Sequence, residues 1–168
     1  MAKDGTSRGG ARPGAGRKKK PLADKIMEGK ALPPVTPLEG VDMPDIKEYL
    51  TESQHTGELH ADEVYRETWE WLARNGCAQY VNPTQLEEYA MTTARWIQLE
   101  RVISEFGFLS RHPTTGAPMT SPFVSMALSF LKQSTLIWYQ ILQTVKEHSV
   151  EPVTGSPRDD MMERLLSK

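Results

Sequence analysis

Apolar positions in the second half of the chain recur at the three- and four-residue spacing of an α-helix, over a long segment that begins near Asn82. Asn82 can cap this helix, Pro83 suits its first turn, and Gln85 is placed to reach back to the cap. The pattern continues to Phe106 and stops at Gly107, a residue typical of helix C-termini. At about 1.5 Å per residue, the predicted helix is roughly 35–40 Å long.

A second long helix is predicted to begin at Ser121-Pro122 and to run to about His148. One short polar loop separates the two helices, so we expect them to form an antiparallel hairpin. The second helix carries two apolar stripes, and a helix that is apolar on two faces is buried by more than one neighbour. The first stripe contains Phe123, Met126, Ala127, Phe130, Ile137, Ile141 and Val145. The second stripe contains Leu128, Leu131, Thr135, Trp138 and Leu142.

These stripes leave two interpretations open. The helix is either the central helix of a small bundle within one chain, or it packs with one face on its hairpin partner and with the other on a second copy. A chain of 168 residues is short for enclosing two such helices in its own core, which favours the second interpretation. The residues predicted to mediate oligomerisation are Phe130, Ile137, Trp138 and Ile141.

A shorter helix is predicted from about His60 to Asn75, with Gly76 at its end. Trp71 lies off its apolar stripe, where it can build a second contact. The stripe itself contains Val64, Tyr65, Thr68, Trp69 and Leu72. Upstream, Asp45–Leu50 is predicted as a short helix that docks on the body.

The C-terminal segment is predicted to form a last helix, with Ser156 as its cap and Asp159 in its first turn. A helix this short is marginal when isolated in water, and such a peptide suits the groove of another protein. The alternative is that the segment folds back on its own body. The predicted partner-binding residues form its apolar stripe: Met161, Met162, Leu165 and Leu166.

Charge is distributed unevenly along the chain. Residues 1–20 carry about +6 while the whole chain carries −2, so the remainder carries about −8. Lysine and arginine side chains that neutralise phosphates bind DNA in a salt-dependent way without reading sequence. A solubilising tail and a nuclear-localisation signal are the alternatives for this segment. The residues predicted to bind DNA are Arg8, Arg12, Arg17, Lys18, Lys19 and Lys20.

The sequence therefore predicts an all-α protein in four parts. Residues 1–21 form a disordered basic arm, because they lack apolar side chains to bury. Residues 22–58 form a proline-rich linker, in which Leu32–Pro37 is extended. Residues 59–150 form the helical core and oligomerisation domain, a bundle built on the long hairpin. Residues 151–168 form a linker and the C-terminal partner-binding helix.

Candidate chemistry is sparse. Cys77 is the single cysteine, which excludes a disulfide within the chain and indicates a reducing compartment. We find no apolar run long enough to cross a bilayer and no secretory signal, so we expect a soluble, intracellular protein. The histidines pair with neither Cys77 nor an acid at metal-ligand spacing, and no catalytic arrangement stands out. We expect no enzymatic activity, no metal and no cofactor.

These features together resemble the small subunit of a tailed-bacteriophage terminase. The resemblance covers most of residues 8–150 and lies in the order and spacing of several short motifs. They are the Arg12-Pro13-Gly14-Ala15-Gly16-Arg17-Lys18 arm, the helix with Trp69, Leu72 and Gly76, the Leu86–Tyr89–Ala90 helix, Gly107, Gly116 and Pro122. Ser121 stands where the family usually has asparagine, and it can still cap.

The resemblance implies a helical protein that forms an oligomeric ring, binds double-stranded viral DNA when packaging begins, and recruits the large terminase subunit, which carries the ATPase and nuclease. It implies that the small subunit regulates that motor without being an enzyme. It also implies action in the cytoplasm of the infected bacterial host and absence from the mature virion. Unlike some relatives, the sequence shows no helix-turn-helix unit.

Two other functions remain open on the sequence. The chain fits a dimeric helical DNA-binding transcriptional regulator, which would dimerise through the second long helix and prefer one operator. It also fits an interaction scaffold that does not bind DNA, in which the basic arm only aids solubility.

Overall fold

A computed structural model describes residues 19–32, 41–51, 53–54 and 57–166, and most of them are helical. The all-α prediction is therefore confirmed at the level of a mostly helical protein. The α-helices are α1 (Leu22–Met27), α2 (Ala61–Arg74), α3 (Pro83–Phe106), α4 (Pro122–His148) and α5 (Pro157–Leu166). Short 3-10 helices span Glu48–Leu50 and Ala78–Tyr80.

Two small antiparallel strand pairs complete the fold. β1 (Ser53–Gln54) pairs with β2 (Gly57–Glu58) ahead of α2. β3 (Leu109–Arg111) pairs with β4 (Pro118–Thr120) between the long helices, with Ser110 opposite Met119. The polar loop predicted between the two long helices is therefore a β-hairpin.

Helices α3 and α4 lie side by side and run in opposite directions. Near the start of α3, Gln85 Nε2 donates a hydrogen bond of 2.9 Å to Gln140 Oε1 in the second half of α4. Towards the other end, Trp96 and Ile103 of α3 share an apolar cluster with Ala127, which lies early in α4.

The main core forms where α2 crosses the first half of α3 and the second half of α4. The predicted stripe of α2 is buried, and Trp71 makes the second contact that its position indicates. The rings of Trp71 and Trp138 have centroids 5.3 Å apart, and Tyr89 lies 5.4 Å from Trp138. The largest fully buried side chains include Tyr65, Leu72, Leu86 and Ile141.

The capping contacts at the helix ends agree only in part with those predicted from the sequence. Asn82 caps α3 as predicted, because its side-chain oxygen accepts a 2.9 Å hydrogen bond from the Thr84 amide. The prediction that Gln85 closes a capping box is wrong, since its side chain bonds to α4 instead. Ser121 makes no side-chain cap bond, and its amide donates to the Phe108 carbonyl oxygen at 2.8 Å, closing the base of the β-hairpin.

The region predicted as a linker contains ordered elements. Helix α1 contacts α4, and Ala23 is buried. Further along, Leu50 is fully buried and Ile46 packs against the main core, so residues 46–50 form a segment anchored on the body, as the docking prediction indicates. Residues 33–37, predicted to be extended, lie outside the described residues.

Candidate functional site

The start of the described chain carries the last residues of the predicted DNA-binding arm. Lys19 and Lys20 are both exposed. Lys20 pairs with the Glu28 carboxylate, and that hydrogen bond raises the pKa of Lys20 and lowers the pKa of Glu28. The other arm residues lie outside the described residues: Arg8, Arg12, Arg17 and Lys18.

The arm leaves the body beside the C-terminal end of α4. The pKa of Glu147 near that end is lowered, first by a hydrogen bond from Gln143 and further by nearby charges that include Lys19 and Lys25. Contacts between α1 and α4 fix this position. Lys146 is exposed in the last turn of α4. The β3–β4 hairpin lies at the opposite end of the long helices, so Lys19 is remote from it.

The residues predicted to mediate oligomerisation lie mostly inside one chain. Trp138 and Ile141 belong to the main core, with exposed fractions of 4 % and 0 %. Phe130 and Ile137 are half-buried, and each packs against an apolar cluster of its own chain. In this structure Trp138 and Ile141 have no free surface to offer a second copy.

A different face of α4 is apolar and exposed. Leu128, Leu136 and Tyr139 are 61 %, 56 % and 63 % exposed. The 3.6-residue period places these three side chains on one face, opposite the buried Ala127 and Ile141. Sequence reasoning assigned Leu128 to a stripe and missed the other two, although their spacing from it was readable. We call Leu128, Leu136 and Tyr139 the outer α4 face.

A second exposed apolar patch surrounds the base of the β3–β4 hairpin. It gives this end of the molecule a surface that differs chemically from the lysine-bearing end. A groove of about 490 Å³ lies within it. The exposed members of the patch are Phe106, Phe108, Leu109, Met119 and Phe123.

Glu87 is a buried glutamate that contacts two side chains of the segment ahead of α2. The helical pattern of the sequence places Glu87 on the outward, polar side of α3, and this prediction is wrong because the anchored segment (residues 46–50) covers it. Lys47 Nζ lies 3.0 Å from Glu87 Oε1, and the Tyr49 hydroxyl donates to Glu87 Oε2. Burial, followed by this hydrogen bond, raises the pKa of Tyr49 to about 12.

The predicted partner-binding helix lies partly on the chain's own body. Met161 is buried in the main core, so the alternative in which the segment folds back describes this side chain. Ser156 caps α5 as predicted, because its hydroxyl oxygen accepts a 3.1 Å hydrogen bond from the Asp159 amide. The side chains of Met162, Leu165 and Leu166 lie outside those that the structure describes.

Within the described ranges, no three histidine, cysteine or acidic side chains come together in a way that could hold a metal ion. The helices in those ranges include none with the length and apolar character needed to span a bilayer. Burial raises the pKa of the Cys77 thiol to about 11, so this cysteine is a protonated core residue at neutral pH.

The described residues form a small helical protein with two exposed lysines at its start, an exposed apolar helix face and a C-terminal helix that packs on the body. Residues 61–141 match the family model described as phage terminase, small subunit. Over this range the chain is similar to the small subunits of phage terminases. The match spans α2, α3, the β-hairpin and most of α4, and leaves α1 and α5 outside it. No curated protein and no solved structure shows significant similarity to the chain.

Proposed function

We propose that this protein is the DNA-binding small subunit of a phage packaging terminase. The family match over the helical body is the observation that carries the proposal. The family is generally non-catalytic, and we assign this chain a binding role in the cytoplasm of the infected bacterial cell, without a cofactor, and place it outside the finished virion. Its partners would be viral DNA, further copies of itself and the large terminase subunit.

DNA binding is assigned to the basic arm, residues 1–21. About +6 of charge precedes a body that carries about −8, so duplex phosphates are attracted to the arm and repelled elsewhere. The acidic body also explains why the arm must supply most phosphate contacts. The assigned residues are Arg8, Arg12, Arg17, Lys18, Lys19 and Lys20.

Self-assembly into a ring is assigned to the outer α4 face. Leu128, Leu136 and Tyr139 form an exposed apolar strip on the longest helix, which is the kind of surface that marks a protein interface. Ile137 lines a groove together with Leu136, whereas Phe130, Trp138 and Ile141 pack inside the protomer and support the helix from there. The proposed interface therefore lies on a different face of α4 from the residues that the sequence indicated.

Contact with the large subunit is assigned to the C-terminal segment, residues 151–168. Met162, Leu165 and Leu166 supply apolar side chains on a short helix, and such helices bind in grooves of other proteins. Met161 belongs to the same predicted stripe.

The proposal is tested by fluorescence anisotropy of labelled duplex DNA over a range of salt concentrations, with the full chain and with a chain lacking residues 1–20. We expect the full chain to bind with an affinity that falls steeply as salt rises, and the shortened chain to lose most of that affinity. Equal binding by both chains would contradict the assignment of DNA contact to the arm. No binding by the full chain at low salt would contradict the proposed function.

A further inference from the structure

The chain carries a built docking site for its own C-terminal segment. Trp71 Nε1 on α2 donates a hydrogen bond of 3.2 Å to the Gly155 carbonyl oxygen. On α4, Thr135 Oγ1 accepts a 2.7 Å hydrogen bond from Arg158 Nη2. Met161 is 7 % exposed and lies in the main core. We call residues 155–161 the docked segment.

The site beneath the docked segment is apolar and aromatic. Trp71, Tyr89 and Trp138 pack together there, and Met161 completes the same cluster. The first turn of α5 is fixed to it, since Ser156 and Pro157 are both buried. Removing the segment would therefore expose large aromatic side chains to water, a change that favours the docked state.

We propose that the docked segment and a bound protein partner exclude each other, so that the partner can take the C-terminal helix only after Met161 leaves the body. This rests on the proposed function, in which the C-terminal segment binds the large terminase subunit. A side chain that is almost fully buried in its own core cannot contact a second protein at the same time. Met161 therefore has two competing sites, one on the body and one on the partner.

The apparent affinity for the partner is the intrinsic affinity multiplied by the fraction of chains whose segment is released. Docking on the body therefore lowers the apparent affinity. Few contacts hold the segment, so single changes on the body side can shift that fraction. Thr135 and Trp71 are the useful positions, because both lie on the body and neither belongs to the segment that the partner would bind. Weakening the docking site is thus expected to strengthen partner binding.

The test compares Thr135→Val with Thr144→Val in the full chain. Both hydroxyls donate to the carbonyl four residues back on α4, but only Thr135 also accepts from Arg158. Hydrogen exchange measured by mass spectrometry reports release of residues 155–161. Affinity for the purified large subunit of the same phage is measured by titration calorimetry.

We expect Thr135→Val to speed exchange in the docked segment and to raise the affinity for the large subunit, each by up to about tenfold, because a hydrogen bond to a charged group is lost. Thr144→Val should change neither. Trp71→Phe provides a second test, with Trp96→Phe as its control, since the Trp96 indole N–H bonds to Glu100 away from the segment.

Faster exchange with unchanged or weaker affinity would overturn the exclusion while leaving the proposed function intact. Failure of the proposed function has a different signature: a chain that lacks residues 157–168 would bind the large subunit as tightly as the full chain. In that case the exclusion is overturned as well, because the partner does not use the segment.

Discussion

The Tyr49 hydroxyl donates a hydrogen bond to the Glu87 carboxylate, and this contact fixes the segment ahead of the helical body to the second turn of α3. Lys47 approaches the same carboxylate from the same segment at 3.0 Å. Glu87 is therefore a buried acid that is satisfied by two groups separated from it by roughly forty positions in the chain. The consequence is that residues 47–49 are tethered to α3 through a buried carboxylate.

Replacing Glu87 is expected to loosen that tether. Glu87→Ala removes the shared acceptor and leaves the Lys47 and Tyr49 donors without it, so we expect the free energy of unfolding to fall by about 1–3 kcal/mol. Chemical denaturation monitored by tryptophan fluorescence measures the change. The matched control is Glu88→Ala, an exposed neighbour on the same helix, which should cost less than about 0.5 kcal/mol. Equal effects of the two substitutions would show that the contact between Glu87 and the anchored segment contributes nothing to the free energy of unfolding.

Alkaline pH is expected to destabilise the fold through two tyrosines whose hydroxyl groups have raised pKa values. Burial is the first cause that raises the pKa values of Tyr49 and Tyr89 to about 12, from an ordinary value of 10.0. Because the folded-state pKa is the higher one, this stabilisation is fully present below pH 10 and is lost as the pH rises through about 12. Tyr89→Phe should flatten the decline in unfolding free energy over that window, whereas Tyr139→Phe, at an exposed position, should not. An unchanged slope in Tyr89→Phe would contradict the burial argument.

Trp138 is expected to stabilise the protomer itself. Its ring packs between Trp71 and Tyr89, so Trp138→Ala should leave a cavity and cost about 3–5 kcal/mol of unfolding free energy. Thermal unfolding at low protein concentration measures this effect. Leu136→Ala on the exposed side of the same helix is the control and should change protomer stability little. A wild-type melting curve for Trp138→Ala would place the ring outside the core.

The salt dependence of the affinity for duplex DNA is expected to report how many phosphates the arm contacts. Each lysine that neutralises one phosphate adds about 0.9 to the slope of log affinity against log salt on duplex DNA. Lys19→Ala should therefore lower the slope by about one, while Lys132→Ala, an exposed lysine in the middle of α4, should leave it unchanged. Equal slopes for wild type and Lys19→Ala would remove Lys19 from the DNA contact.

The sequence predicted helix positions well because periodicity and capping residues are local signals. The structure places α2, α3 and α4 within a residue or two of the predicted boundaries, and Asn82 caps as expected. Helix α1 was missed because its six residues are too few to show a period. Glu87 was misassigned because its cover comes from residues 47–49, a contact that no local pattern encodes.

Candidate interaction surfaces were harder to predict than the fold. A helical period shows which residues share a face, but not which face the rest of the chain covers. Trp138 and Ile141 were therefore assigned to an interface, although the chain's own α2 and α3 bury them. Met161 was assigned to a partner for the same reason, since its cover comes from elements far away in sequence. The predicted contacts of Arg12 and Leu165 stay predictions.

Self-assembly of the protein is proposed to occur through the outer α4 face. A helix that exposes Leu136 and Tyr139 in one chain leaves an apolar strip that a second copy can cover. One exposed lysine, Lys132, lies between Leu128 and Leu136 on this face, so two added glutamates outnumber it. At least one added charge would be buried without a partner in the assembly, which should dissociate the particle without unfolding the protomer. Gln133→Glu is the matched control, because it places the same charge at an exposed position off the strip.

Native mass spectrometry of the full chain at low micromolar concentration tests this claim most directly. We predict a particle of many subunits for the wild type and for Gln133→Glu, and a folded monomer for Leu136→Glu combined with Tyr139→Glu. A wild-type dimer would instead favour the transcriptional-regulator interpretation. A wild-type monomer, or an intact particle in the doubly charged variant, would contradict assembly through this face.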